Sequence, residues 1–449
     1  MRYDCVVPSA DGWKVLVVRE GDSWALPHVE CNTGWIADAV AEIQNGFRDR
    51  YHAEAVVLRC LLWTDSSVAC ELEAFPVGTW PEMESRWLDA GESEPWLPAE
   101  EAAAVTAWAE NRGWERRIAP WQQRGWFLEA RQWIVARVGV IKALTQVKAG
   151  WNGSCVLRVN TSNGTLYFKA APPRTPGESG VIRALSAKWS PHLPSIVDAD
   201  EERCWMLMHD IGGRQTNSRE PAELADAASL LARIQIDQAA DADGWLALGC
   251  PDRGLDVIRA SLDRLLIEIP SCLCDAGVLD AAERAEIAWF VPRAKRMCET
   301  LSSFAVPARS IHHEDFRDGN VQRTHSGALV LIDWNDTVVA HPFFTLQRFL
   351  WFMSPPHGVP RYEIVGRDDD VCRRALRDAY LDEFQYFEPR PRLLEAFGIS
   401  SRLSPIYDAF RFASSPEVDE VLERGLRPEE RRIARHLMEH ILEVCRETR

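Results

Sequence analysis

No apolar run in this chain reaches the roughly 18 residues of a membrane-spanning helix. The start, Met1-Arg2-Tyr3-Asp4-Cys5, lacks the charged-then-apolar form of a signal peptide, so a cytoplasmic protein with no membrane partner is expected. Positive charge is short as well: 51 Lys and Arg against 67 Asp and Glu leave a net charge of −16. That balance argues against nucleic acid as a partner, because phosphate backbones are held by clustered Lys and Arg. It mildly favours a cationic small molecule by long-range attraction, although an acidic surface also serves solubility alone. The 12 cysteines are scattered, with only Cys272 and Cys274 close together and no second pair to complete a zinc site. Reduced thiols are the simplest account. Internal repeats and low-complexity segments are missing, and 449 residues, 46% hydrophobic and 26% charged, are globular material for two or three domains.

The segment His313-Glu314-Asp315-Phe316-Arg317-Asp318-Gly319-Asn320, followed by Leu331-Ile332-Asp333-Trp334, carries the most chemistry. Phosphoryl transfer needs a carboxylate to accept the proton of an attacking hydroxyl and oxygen ligands to hold magnesium against nucleotide phosphates. The His-x-Asp-x-x-x-x-Asn spacing offers both from one loop, with Asp315 as base and Asn320 as metal ligand. An apolar run from Ala328 to Ile332 reads as a buried strand that delivers Asp333 at its end. Thr324-His325-Ser326-Gly327 predicts a hairpin turn between this run and Val321-Gln322-Arg323. If Arg323 faces Ala328, then Asp318 faces Asp333, and Asn320 is a diagonal neighbour about 7–8 Å away.

Upstream, Cys155 to Val159 and Gly164 to Ala170 read as a strand pair around an Asn-Gly turn, with Lys169 among apolar residues in the second strand. Glu178 opens a helical pattern through Val181, Leu185 and Trp189, and a Lys169–Glu178 bridge would hold the lysine on nucleotide phosphates. A plain first-turn glutamate favoured by the helix dipole is the alternative. Gly150-Trp151-Asn152-Gly153-Ser154 stands where a phosphate-covering loop would be, with Ser154 at its end, but lacks the full Gly-x-Gly-x-x-Gly pattern. Cys204 to Met208 reads as a strand and His209-Asp210-Ile211-Gly212-Gly213 as the turn leaving it. Met208 and Asp210 would sit at a hinge that takes the adenine edge.

On these residues, Tyr167-Phe168-Lys169-Ala170, Glu178, Met206 to Asp210, His313 to Asn320, Ile332-Asp333-Trp334 and Ala340-His341-Pro342-Phe343-Phe344, the chain resembles the aminoglycoside phosphotransferase superfamily from about Trp121 to its end. The resemblance implies an α+β, bilobal protein-kinase-like fold, ATP or GTP as donor, Mg2+, and a small hydroxylated acceptor such as an aminoglycoside, sugar, amino alcohol or natural product. It implies Lys169 on the phosphates, Asp315 as base, and Asn320 and Asp333 on the metal. Glu314 replaces the usual Gly, so it would narrow the approach to Asp315 or, with Asp336, bind a cationic acceptor. No Asp-Phe-Gly or Ala-Pro-Glu follows Asp333, which argues against a protein kinase. A nucleotide-sensing regulatory protein that docks a partner, and a kinase-like enzyme that transfers AMP, are the other readings.

The first 115 residues read differently. A strand from Trp13 to Arg19, Trp24-Ala25-Leu26-Pro27, a helix from Trp35 to Tyr51 and the apolar run Ala55 to Leu62 resemble an α/β Nudix-like domain. Val40, Arg50, His52 and Ala53 occupy key box positions, and too few carboxylates remain for magnesium. A non-hydrolytic domain, or an unrelated small α/β domain, is expected, serving a homodimer, a protein partner or substrate covering. The division is then 1–115, 119–210 for a linker helix with the small lobe, and 211–449 for a mostly helical lobe, with Ser218 capping its first helix and Leu224, Leu231, Ile234 and Ile236 inward. His436-Leu437-Met438-Glu439-His440 matches a zinc-peptidase pattern, but a charged amphipathic helix with Ile433, Leu437, His440, Ile441 and Val444 or Cys445 inward explains it without a metal.

Overall fold

The structure is a computed structural model that describes every residue except 34, 35, 65, 77–84, 94, 111–118, 150–152, 174, 175, 217–219, 353–370, 416 and 449. The proposed breaks at Asn111 to Gly113, the cap at Ser218 and Gly150 to Asn152 fall outside the described residues. The chain is α+β and divides into two compact units. One is Met1–Ser179 with Ser195–Asp210, and the other is Gly180–Pro194 with Ile211–Arg449. Among the described residues, no helix is long and apolar enough to cross a membrane.

In the first unit, Arg2–Val6 lies parallel to Ser67–Pro76 in a four-stranded sheet completed by His28–Glu30 and Ala53–Trp63. A three-stranded sheet places Lys14–Glu20 between Ser23–Ala25 and Ser85–Asp89. The helix Ile36–Tyr51 buries Ile36, Val40, Ile43 and Phe47 in the same core as Ala53, Ala55 and Val57. Val40 and Ala53 are both fully buried there, while Arg48 pairs with Glu54 and Arg50 with Glu20. The start of the apolar run, Ala55 to Leu58, is buried on both sides: Ala55 and Val57 face the first core, and Val56 and Leu58 join a second one.

That second core belongs to a five-stranded antiparallel sheet made from Ile141–Ala149, Cys155–Thr161, Gly164–Ala170, Trp205–His209 and Ile196–Asp200. Trp121, Trp126, Trp133, Phe168 and Trp205 fill it together with Val56 and Leu58. Two buried glutamines tie the same elements. Gln146 receives the Val57 N–H at 2.9 Å and donates to the Val57 carbonyl at 3.0 Å. Gln44 donates to the Ala55 carbonyl at 2.6 Å and receives the Gln146 N–H at 2.8 Å. Buried amides need such partners, and these partners make the N-terminal region and the five-stranded sheet one packed body. The entry helix begins at Trp126, later than the expected Trp121, because Gly125 takes φ +86 and Pro120–Gln122 forms a separate short turn.

In the second unit, the helix Pro221–Gln238 buries Leu224, Leu231 and Ile234 as expected, but Gln235 rather than Ile236 faces inward. Gln235 is fully buried and connects the strand Ser310–His313 to later helices: it donates to Ile311 O at 3.0 Å and to Thr345 Oγ1 at 2.9 Å, and it accepts from Tyr380 at 2.5 Å. Ser310–His313 runs antiparallel to Thr337–Ala340, which lies parallel to Asp252–Arg253. The long helix Arg390–Ala413 continues through Pro405; one missing N–H is tolerated without ending the helix.

Candidate active site

Strand alternation decides where Lys169 goes. On Gly164–Ala170, Phe168 enters the aromatic core, 5.4 Å from Trp205 and 5.7 Å from Trp133 by ring centroids. Lys169 therefore emerges on the opposite side of the sheet. It is 6% exposed, and its Nζ lies 2.6 Å from Glu178 Oε2. Glu178 is the first residue of the helix Glu178–Trp189, where the helix dipole favours a carboxylate. Ser154 is buried just before the strand Cys155–Thr161, and half-buried Met208 pairs with Tyr167. Asp210 is exposed, with its backbone N–H 3.4 Å from Thr165 O. Trp126 and Trp133 are core residues here, so their rings have no ligand to stack on.

The second unit carries the Asp315 loop between Ser310–His313 and a hairpin. The hairpin register is Val321↔Leu331, Gln322↔Val330 and Arg323↔Leu329, one residue away from the expected pairing. The cause is the turn: Thr324 N–H donates to Ala328 O at 2.8 Å, so only three residues form the loop, and Gly327 takes φ +89. This is the geometry of a type I turn closed by a left-handed glycine. Continuing the ladder, Ile332 N–H donates to Asn320 O at 3.0 Å. Asn320 is thus beside Asp333, rather than two places along a diagonal. Asp333 itself takes φ +66, a left-handed conformation that few side chains other than Asn and Asp tolerate. Gly213 meets this hairpin so closely that an added Cβ would lie 2.0 Å from Arg323 O.

His313 joins the two halves of this centre. Its Nε2 lies 2.9 Å from Ile332 O, directly before Asp333, and its ring packs 4.8 Å from that of Trp334. Trp334 is 1% exposed and donates to Leu331 O at 2.9 Å, which makes it a wall of the centre. Asn320 Nδ2 donates to Asp315 Oδ2 at 2.9 Å and to Asp315 O at 2.8 Å. Arg317 Nε reaches the same carboxylate oxygen at 3.3 Å, and Arg348 Nε lies 3.0 Å from the other. Burial lowers the Arg348 guanidinium from its usual range, opposed by Asp315, Asp336 and Glu314.

Glu314 needs a correction. Its carboxylate is buried, accepts from Arg253 Nη1 at 2.5 Å and from the Tyr407 hydroxyl, and forms an ion pair with Arg411, whose Nε lies 2.9 Å away. Two guanidiniums and a phenol already satisfy it, so it does not offer a carboxylate to a cationic acceptor. Burial, then Glu314, pushes the Tyr407 phenol well above its usual range. Burial, reinforced by Arg411 and Arg253, pushes His312 well below 6.5. Asp336 is half-buried and contributes charge toward Arg348. Sequence reasoning missed Arg253, Arg317, Arg348 and Arg411; only Arg348 left a trace, as the one charged residue in the largely apolar helix Thr345–Phe352.

The zinc-like pattern resolves without a metal. Glu439 pairs with Arg435 at 2.8 Å, and among the described residues no group of three His, Cys, Asp or Glu side chains is arranged for a metal ion. The inward face of that helix is Met438, Ile441, Leu442, Val444 and Cys445, which includes the expected Ile441, Val444 and Cys445, while Ile433, expected inward, is 49% exposed.

The phosphotransferase enzyme family model matches residues 143–391, more than half of the chain and both units. The chain belongs to the phosphotransferase enzyme family. It is a phosphotransferase acting on an alcohol group, with the protein-kinase-like fold of that family. No curated protein matches it. Among solved structures it is similar to a choline kinase from Cryptosporidium parvum (13% identity, TM-score 0.45, 71% of this chain and 96% of that one). It is also similar to a macrolide 2'-phosphotransferase from Brachybacterium faecium (14%, TM-score 0.44, 69% and 97%) and to an ethanolamine kinase from Plasmodium vivax (12%, TM-score 0.44, 72% and 90%). At these identities and scores the likeness says nothing about substrate. The match begins at residue 143, so the Nudix resemblance of the first 115 residues has no counterpart in it.

Proposed function

We propose that this phosphotransferase uses ATP or GTP with Mg2+ to phosphorylate a hydroxyl of a small molecule in the cytoplasm. The acceptor oxygen attacks the γ-phosphorus, the bond to the bridging oxygen breaks, the nucleoside diphosphate leaves, and the hydroxyl proton passes to Asp315. Lys169, held by Glu178, neutralises the phosphates. Ser154, Met208 and Asp210 line the nucleotide side. Asn320 spends its amide nitrogen on Asp315, which leaves its oxygen as an acceptor suited to a cation, and Asp333 adds a carboxylate. So few protein ligands fit magnesium, which usually takes one or two carboxylates plus phosphate oxygens and water. When bound, Mg2+ would offset charge on the phosphate oxygens.

The Lys169–Glu178 pair is the observation that carries this reading. A buried ion pair is weak as a stability device, because desolvation offsets its attraction. A lysine 6% exposed on a strand, held at 2.6 Å by a helix-start glutamate, has a reason in phosphate binding. The test is transfer of labelled γ-phosphate from ATP and GTP into pooled aminoglycosides, sugars, nucleosides, amino alcohols and hydroxy acids, with Asp315→Asn as control. Product absent from the control supports the reading. Nucleotide binding without transfer to any pool would favour a sensing role, and a product heavier by AMP would favour nucleotidyl transfer.

A further inference from the structure

A cavity of about 630 Å3 lies among the helices Thr345–Phe352, Arg390–Ala413 and Pro428–Glu447. That volume suits a small ligand. Its polar wall consists of Arg348, Asp408, Arg411, Arg432, His436 and His440. Resting on the phosphotransferase reading above, we propose that this cavity is the acceptor site and that it takes a hydroxylated molecule carrying a carboxylate or phosphate group beside an apolar body.

The link to chemistry is Arg348. It lines the cavity, and its Nε lies 3.0 Å from Asp315 Oδ1, so an occupant of the cavity is a near neighbour of the catalytic carboxylate. The charge of the occupant follows from the wall. Three guanidiniums and one carboxylate line it, with Arg348 paired to Asp315 and Arg411 to Glu314 outside the lining, in a chain whose net charge is −16. Guanidiniums bind carboxylate and phosphate through paired N–H groups, which a point charge cannot imitate. Arg411 commits Nε to Glu314 at 2.9 Å, and its fork carries further donors. Glu314 is 3% exposed and shared between Arg253 and Arg411, so it offsets only one of these two guanidiniums.

Two more features shape the occupant. His436 and His440 bring their Nε2 atoms within 3.3 Å on the same wall, and Glu443 Oε2 lies 3.2 Å from Nδ1 of His440. They add neutral-capable donors and acceptors for hydroxyls. Phe412 and Ile433 line the cavity while 51% and 49% exposed, an apolar surface that a ligand body would cover. Most of this wall lies after residue 391, beyond the stretch that the family model matches. The long-range field of an acidic protein favours a cation, but the local wall selects an anion.

The test is calorimetric titration of the full chain with matched probes, followed by γ-phosphate transfer to whichever binds. The carboxylate arm is 3-phenyllactate and gluconate, the phosphate arm glucose 6-phosphate, and the cationic arm phenylalaninol and glucosamine. One anionic arm is expected to bind at least about 10-fold more tightly than the cationic arm. Arg432→Gln should weaken it about 10-fold, as loss of one charged hydrogen bond does. Asp408→Asn should tighten it, and Arg431→Gln, outside the cavity, should leave it unchanged. The opposite signs at Arg432 and Asp408 distinguish charge recognition from misfolding. Tighter binding of the cationic arm, reversed signs in the two variants, or no binding in any arm overturns the proposal. Anion binding with the expected signs but no transfer despite bound nucleotide would instead sink the phosphotransferase reading and leave the anion site standing.

Discussion

Lys169 and Asp315 are both charged side chains set for use, and their surroundings differ in kind. Lys169 sits on a regular strand, with the buried carboxylate of Glu178 at 2.6 Å. Asp315 sits on irregular backbone, accepts from Asn320 and Arg317 and is ion-paired with Arg348, with its side chain still 18% exposed. Regular structure fixes the direction of a side chain by alternation alone. A loop has no ladder to fix its side chains, and surrounding bonds must do so. Hence replacing the strand lysine or its glutamate should disturb folding and function together, whereas replacing Asp315 should separate them.

Asp315→Asn provides the largest contrast. Removing a group of this role lowers kcat roughly 10²–10⁴-fold, and steady-state transfer should show that loss beside a near-normal melting curve. Turnover within a few-fold of normal would refute the proton-acceptor role. Next is Glu178→Ala, which leaves the Lys169 ammonium buried without its 2.6 Å partner. Breaking a buried pair costs about 3–5 kcal/mol, read by chemical denaturation, and Lys169→Met combined with Glu178→Leu should recover much of it without restoring transfer. If the single variant is as stable as the parent, the pair is not structurally coupled.

Acid offers a smaller test on the loop's side. Burial lowers His341 from 6.5 to about 3, and Phe343 N–H lies 3.3 Å from its Nδ1, which must stay unprotonated. Below pH 6.5 the unfolded chain binds a proton there that the folded chain refuses, so stability falls as pH drops from about 6.5 toward 3. The slope is about 1.4 kcal/mol per pH unit for one such group, and His312 shifts in the same direction. Denaturation midpoints at pH 7, 6 and 5 should trace the fall, and His341→Gln should make it shallower. An unchanged slope would mean that His341 titrates alike in both states. The smallest effect is expected from Gly327→Ala: at φ +89 a Cβ costs roughly 1–2 kcal/mol, and a shift well below that would question the three-residue turn.

Much of the centre could be read from the chain because its residues are close in sequence or on regular elements. The Asn-Gly turn and the apolar run around Lys169 predicted the strand Gly164–Ala170, and Glu178 does open a helix. The hairpin register slipped by one because a single left-handed glycine decides whether the loop has three residues or four, and composition does not state φ. The two-sided burial of Ala55 to Leu58 was present in its apolar run, which suits a strand covered on both faces. What covers it, Trp126 and Phe168 and the Gln44–Gln146 amides, comes from far along the chain.

By itself the sequence determined the elements, the order of the His-x-Asp, Asn and Asp residues, and the reaction class, since these depend on local periodicity and on side-chain chemistry at short spacing. Only the tertiary structure decided the partners of each charge. Glu314 and Asp315 are chain neighbours, yet one is closed off by Arg253, Arg411 and Tyr407 and the other lies beside a basic cavity. Charge acts through space and is screened over about 8–10 Å, so net composition says little about what a given wall of the protein will bind.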